Sequence, residues 1–517
     1  MTDSLNKRAR DRSDEDEADL LAFMEAQRWY GGKGTKSRVR QVVRLPRTAA
    51  SERGPWLGVD LVEIEAEGGA VTLYQVPVSL HTEAVPALAH AWIGHADDPE
   101  AGRVHVYDAA HDPVVIGLLT RGFAGESVPG LEHHTTGPIV VDESAGPMML
   151  TGEQSNTSVV IGTDLLLKVF RKVEVGNNPD IEVHAAIARL AGRAATESDG
   201  VADAERSVQQ IGGLRVEPGE QEPTDSEHDA GLGVVAPLRG WIRTADDGPA
   251  PGIDLGMLQD YLRTAVDGWT FARNSVRDLL NEGDLYADEV GGDFAAEAAR
   301  LGRTTARLHL AVAEALETQT WTAADLASLS TRLRARLDEA VQVAPVLENH
   351  RAALQHCYDA LEHISPGQLV QRVHGDFHLG QVLRDVDGWR IIDLEGEPAA
   401  PIAERIALDS PLRDVAGMLR SLDYAAHSVS QQFDDNAQIQ HRIVEWVARN
   451  SDAFLAGYAA EGGTDPVAQL VLLRAYQVDK AVYEVVYETR NRPSWVPIPL
   501  AAVARLAEAS DTGQEQP

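Results

Sequence analysis

Val-Gln-Arg-Val-His-Gly-Asp-Phe-His-Leu-Gly-Gln-Val-Leu at positions 370–383, followed by Trp-Arg-Ile-Ile-Asp-Leu-Glu-Gly-Glu-Pro at 389–398, decides the fold. A short apolar run ends in His374-Gly375-Asp376, and a polar amide, Gln381, follows five positions after Asp376. Asp385-Val386-Asp387-Gly388 reads as a tight turn, and Trp389–Ile392 as a strand ending on Asp393. Phosphoryl transfer needs this set of parts. One carboxylate orients the attacking hydroxyl, and an amide plus a second carboxylate hold Mg²⁺ against the phosphates. Asp376 suits the first role. Gln381 and Asp393 suit the second, because Mg²⁺ takes hard oxygen ligands. A lone His-x-Asp is equally a loop histidine with a capping aspartate; the weight rests on the whole set.

Working outward, the chain has 517 residues, 44% apolar and 24% charged, enough for two to four domain-sized units of ordinary soluble composition. The net charge of -34 argues against nucleic acid and anionic membrane as partners. The single cysteine, Cys357, excludes an intrachain disulfide and reads as a small core residue. Met1–Leu20 lacks the apolar core of a signal peptide, and no apolar run is long enough to span a bilayer. The expected compartment is the cytoplasm.

The N-terminal side reads as follows. Residues 1–17 form a polar, disordered lead-in and 18–27 a short helix. Val39–Leu45, Trp56–Glu65 and Val71–Val78 are strands, with a hairpin at Gly68-Gly69. A helical stretch near 85–93 and a strand pair near 104–119 complete a first α+β unit, 18–130. From 131 to 260 a strand, polar loop, strand, turn and strand series places Ser155, Asn156, Thr157 and Ser158 in the loop and Lys168 in the third strand. The loop can supply donors to phosphates and the lysine can pair with them. A polar hairpin loop and a surface-facing strand lysine are the plain alternatives.

Asn178 caps and Pro179 opens a helix to about Arg193, which puts Glu182 in its first turn within reach of Lys168. Residues 196–230 form an acidic, disordered insertion. Val234–Ile242 and Ile253–Tyr261 are strands, the second leading to a hinge at about Gln259–Leu262 whose backbone would meet an adenine; Gln259 and Tyr261 are the candidate contacts. Residues 261–517 are mostly helical. Lys480, Tyr483, Glu484 and Tyr487 share one helix face, which is either a surface ion-pair row or the lining of a cleft. The fold class is α+β: bilobal and kinase-like, with an N-terminal cap subdomain, a β-rich N-lobe and a helical C-lobe.

Several segments resemble bacterial maltokinases: Arg28-Trp-Tyr-Gly-Gly-Lys33, Gly152–Ser158, Asn178–Val183, His374–Gln381, Asp393–Pro398, Ser410–Ser421 and Asp479–Glu488. The resemblance implies an aminoglycoside-phosphotransferase-like fold with a cap. It also implies transfer of the γ-phosphate of ATP to the anomeric hydroxyl of maltose, feeding α-glucan synthesis beside trehalose synthase. It makes Asp376 the base, Gln381 and Asp393 the Mg²⁺ ligands, and Lys168 with Glu182 the ATP-holding pair. His374, Arg413, Asp414, Tyr424, Lys480, Tyr483 and Glu484 become candidate sugar contacts. A glucosamine kinase or an aminoglycoside phosphotransferase is the other reading of the same parts.

Overall fold

The computed structural model describes residues 14–98, 101–141, 146–150, 156–193, 233–282, 286–288, 293–397, 400–433 and 437–512. The expected insertion at 196–230, most of the polar lead-in and Ser155 lie outside these residues. The chain divides into two compact units, one of residues up to Ala185 with Ala236–Arg263, the other of Ala186–Val235 with Thr264 onward.

The first unit holds two antiparallel sheets. Helix α1 (Asp14–Ala26) starts four residues earlier than expected and carries Leu20 and Met24 into a core against one face of the first sheet. That sheet runs β1 (Ser37–Arg44), β3 (Trp56–Ala66), β4 (Val71–His81), β6 (Gly102–Asp108), β5 (Trp92–Asp98), with β2 (Thr48–Ala49) on β3. The helical stretch expected near 85–93 is present as a 3₁₀ helix, Pro86–Ala91, which gives way to β5 at Trp92. One expectation fails here: 113–120 is a helix, α2 (Pro113–Thr120), where a strand was expected. Asp112 explains it: its side chain accepts from Val114 N and Val115 N, and Pro113 supplies the preset first helical φ.

The second sheet is ordered β7 (Leu131–Thr135), β12 (Leu238–Thr244), β13 (Asp254–Asp260), β10 (Leu165–Phe170), β9 (Asn156–Ile161), β8 (Met148–Met149). The short β11 (Lys172–Val173) crosses over to pair with β4 of the first sheet. The sheets share one apolar core: Leu57, Val59 and Leu61 of β3 pack in the cluster that holds Leu167, Val169 and Met257. Buried polar links fasten them as well. Gln75 of β4 donates to the carbonyls of Phe170 and Leu255. Arg171, 1% exposed, pairs with Asp108 at 2.8 Å and donates to Thr157 Oγ1. Paired and hydrogen-bonded, these buried groups avoid the penalty an isolated charge would carry. Helix α3 (179–193) follows β11.

The second unit is helical: α4 (Gly268–Asn281), α5 (Ala295–Ala315), α6 (Ala323–Val343), α7 (Arg351–Asp359), α8 (Ile402–Arg405), α9 (Leu412–Ser430), α10 (Ala437–Ala460), α11 (Leu470–Asn491) and α12 (Pro497–Thr512). α5 and α10 approach closely because Gly302 and Gly457 face the partner's backbone, where any Cβ would strike the carbonyls of Phe454 and Ala299. Small strand pairs frame the deciding stretch: β14 (Val266–Asp267), β17 (Val382–Arg384) and β18 (Trp389–Ile391) form one sheet, β15 (Gln319–Thr320) and β16 (Leu369–Val370) another. The expected turn at Asp385–Gly388 is present: Asp385 Oδ1 accepts from the amides of Asp387 and Gly388.

Candidate active site

Asp376 sits on a turn that the surrounding helices hold rigid. Gly375 takes φ +81°, a conformation open to glycine at no steric cost, and swings the chain between β16 and Asp376. Asp414, at the start of α9, accepts from the amide of His374 at 2.7 Å and from that of Gly375 at 2.9 Å. His309 of α5 stands 3.1 Å from the same carboxylate and 2.8 Å from the hydroxyl of Tyr458. Since the carboxylate can only accept, Nε2 of His309 donates to it. Burial works to raise the Asp414 carboxyl, but the hydrogen bond and charge of His309 bring it below the ordinary range.

Around Asp376 lies a charged cluster. Lys480 of α11 donates to Asp376 Oδ1 at 3.0 Å, and its ammonium lies 5.0 Å from the centre of the Tyr483 ring. Burial alone would raise the Asp376 carboxyl; Lys480 first, then His378, outweigh it and hold the group at about 2. Burial works to lower the Lys480 ammonium, yet Asp376 and Glu397 hold it above its ordinary value. The Glu397 carboxyl is pushed up, first by burial and then by Asp376, and the Tyr483 hydroxyl meets it at 3.4 Å. At neutral pH the cluster offers an ionised Asp376 able to take a proton and a positive charge beside it.

Gln381 and Asp393 meet as expected. The Gln381 amide donates to Asp393 Oδ2 at 3.2 Å, and Ile392 N donates to the Gln381 carbonyl. Asp393 has φ +64°, the one positive value among described residues other than glycine. Such backbone strain clusters at functional sites. The pair offers hard oxygen donors, an amide and a carboxylate, of the kind Mg²⁺ takes.

Several expected sugar contacts are spent on the scaffold. Asp414 is the buttress of the turn. His374 is buried; its ring nitrogen Nε2 faces the carbonyl of Ile392 at 3.0 Å, tying the turn to the strand before Asp393. Tyr424 is buried and donates to Glu488. Glu484 pairs with Arg420 at 2.7 Å, which also pairs with Asp423. Arg413 braces the turn through the carbonyl of Gly375, 3.2 Å away, and keeps 32% of its side chain exposed. Lys480 and Tyr483 remain at the cluster. The expectation passed over Glu397 although it stands in the quoted Glu-Gly-Glu-Pro; its signal was a second carboxylate two residues after Glu395.

In the other unit, Lys168 is buried on β10 and points inward. The carboxylate it meets is Asp180, at 2.7 Å, in place of the expected Glu182. Helical geometry explains the correction: residues two apart on a helix face different ways. Asp180 faces the interior at 1% exposure, while Glu182 is half-buried. Asp180 also meets His184 Nδ1 at 3.0 Å, and its amide takes the Asn178 cap. Asn156, Thr157 and Ser158 are buried residues of β9, not loop residues. Gln259 lies within β13, and Tyr261 just beyond it donates its amide to the carbonyl of Asp164.

Such a cap, β-rich part and helical part make up a kinase-like phosphotransferase fold, and comparison agrees. The family model for the phosphotransferase enzyme family matches residues 288–463, and that for the maltokinase N-terminal cap domain matches 23–112. Together the two matches support a maltokinase-like protein of the aminoglycoside phosphotransferase superfamily. Among curated proteins, the chain is 34% identical over 270 residues to a glucosamine kinase of Streptacidiphilus jiangxiensis, covering 50% of this chain and 59% of the relative. It is 29% identical to a glucosamine kinase of Mycolicibacterium smegmatis, covering 48% and 62%. The chain thus spans about 60% of the length of these relatives. A solved glucosamine kinase in complex with glucosamine, ADP and inorganic phosphate superposes with TM-score 0.59 at 22% identity, over 94% of this chain and 98% of that one. That likeness is one of fold.

Proposed function

We propose that the chain is an ATP-dependent sugar kinase in which Asp376 takes the proton of the attacking hydroxyl. One observation carries the reading: an ionised Asp376 held by a buttressed turn beside Lys480, followed by the Gln381–Asp393 pair. The acceptor oxygen forms a bond to the γ-phosphorus as its proton passes to Asp376, and the bond from that phosphorus to the bridging oxygen breaks, releasing ADP. Gln381 and Asp393 would hold Mg²⁺, which would neutralise phosphate charge when bound. Lys168, fixed by Asp180, would pair with the nucleotide phosphates; Gln259 and Tyr261 would face the adenine.

The acceptor reading is maltose, phosphorylated on its anomeric hydroxyl. It rests on the cap domain and on the segments quoted above. With it goes a cytoplasmic role beside trehalose synthase in α-glucan synthesis. Glucosamine is the second reading. It is favoured by the names of the curated relatives and by Glu397, a second carboxylate at the cluster that suits an ammonium.

An ADP-release assay with maltose, glucosamine and glucose decides between them. Under the first reading maltose leads, and phosphorus NMR of the product places the phosphate on the anomeric carbon. Glucosamine leading, or a phosphate on another carbon, rejects the maltose reading. No transfer to any of the three rejects the sugar-kinase reading.

A further inference from the structure

Along α11 a file of rings and cations runs away from Asp376. Lys480 lies against the Tyr483 ring, and Tyr483 is stacked at 6.4 Å and 26° with Tyr487 one turn on. The Arg492 guanidinium is held 5.7 Å from the Tyr487 ring and 4.7 Å from the Trp495 ring. Trp495 in turn stacks on Tyr424 at 6.0 Å and 19°.

The outer side of this file is open and its floor is fixed. Tyr483 is 42% and Tyr487 43% exposed, adjacent on one helix face. Beneath them Glu488 is 2% exposed and is spent on holding the file: it takes two bonds from Arg492, at 2.6 and 3.0 Å, and one from Tyr424. Burying a carboxylate is costly unless it is fully partnered. Here it locks a surface guanidinium between two aromatic rings and removes the freedom that a ligand would otherwise have to freeze out. An ion pair at the end of a helix accounts for Arg492 with Glu488. It does not account for two neighbouring tyrosine faces left in water.

We infer that this file is an extended carbohydrate-binding surface, continuous with Asp376, for a neutral glucan of three or more rings. The inference rests on the sugar-kinase reading and deepens it. Seven residues from Lys480 to Tyr487 advance about 10 Å along the helix, more than one pyranose covers. The reducing-end ring would lie at Asp376, Lys480 and Glu397, the next over Tyr483 and Tyr487, and a third against Arg492 and Trp495. Sugar rings present apolar C–H faces, which aromatic faces receive, and hydroxyls, which the guanidinium binds. A neutral ligand is favoured because both cations are already matched, Lys480 by Asp376 and Arg492 by Glu488.

Calorimetry on the full chain without ATP, with maltose, maltotriose and maltotetraose, tests it. Maltotriose is expected to bind about fivefold more tightly than maltose, the scale of one added aromatic contact. Trp495→Ala should bring that ratio close to one. Tyr487→Ala, at an exposed position where folding is not at stake, should weaken maltose and maltotriose alike and leave the ratio as it is. A wild-type ratio of one, a ratio unchanged by Trp495→Ala, or maltose binding unchanged by Tyr487→Ala overturns the inference. Because binding is read without nucleotide, a chain that transfers phosphate to no sugar would reject the kinase reading and leave the length dependence to stand or fall on its own.

Discussion

The two units each contain a lysine paired with an aspartate, and the pairs differ in what surrounds them. Lys168 and Asp180 keep 7% and 2% of their side chains exposed; Lys480 and Asp376 keep 23% and 18%. The first pair is closed. Asp180 is further engaged by His184, which with Lys168 outweighs burial and brings its carboxyl far below the ordinary range. The second is half-open, with Glu397, His378 and Tyr483 beside it. A closed pair is built once, on folding, and then holds one geometry. An open pair can exchange partners, so Asp376 can leave the ammonium and meet a hydroxyl. On the proposed reading, the same two residue types serve as a fixed pair in one unit and as a reactive centre in the other.

Breaking the closed pair should have the larger effect on stability. Asp180→Ala leaves the Lys168 ammonium buried without its principal partner, a change that typically costs about 3–5 kcal/mol. Urea unfolding is expected to show that loss. A cost under about 1 kcal/mol would mean that Lys168 is reached by water and that the contrast between the pairs is false.

Asp376→Asn should reverse the pattern. Turnover is expected to fall ~10²-fold or more, the scale of a lost general base. Stability should fall by no more than about 2.5 kcal/mol, because the depression from 3.8 to about 2 is worth no more than that in linkage. Turnover near wild type, measured by ADP release, would remove Asp376 from the chemistry.

How far these pairs were legible in the sequence differs as their geometry does. His374-Gly-Asp376, Gln381 and Asp393 lie close along the chain, so local spacing and a hairpin were enough to assemble them. Lys168 was readable as a strand lysine, but its partner was not. The first turn of α3 offers two acidic residues, and only packing decides that Asp180 faces inward. Lys480 stands 104 positions after Asp376, and no local pattern joins them. Asp414, Tyr424 and Glu484 were expected as ligands on the strength of the family resemblance, which does not show what they touch. The partners the structure gives them, His309, Glu488 and Arg420, are contributed by other turns and helices. The cap sheet was read strand by strand except for β2 and β5, and Asp112-Pro113 turned an apolar run expected as a strand into a helix.

Lys480→Met sharpens the comparison most finely, through pH. Asp376 faces Lys480 from α11, His374 and His378 from its own segment, and Glu397. Its folded value is depressed, so the stabilisation it gives is present above about 3.8 and is lost as pH falls through about 2. In the wild type the base is therefore ionised throughout the accessible range. Its loss of a proton sets no acid limb above about pH 4. Removing the ammonium takes away the strongest influence opposing burial, and the carboxyl should rise past its ordinary value. The acid limb of kcat/KM should then enter the range of about pH 4–6, while the wild-type profile stays flat there as far as Asp376 is concerned. A variant profile that overlays the wild type across this range would show that the open pair does not control the charge of Asp376.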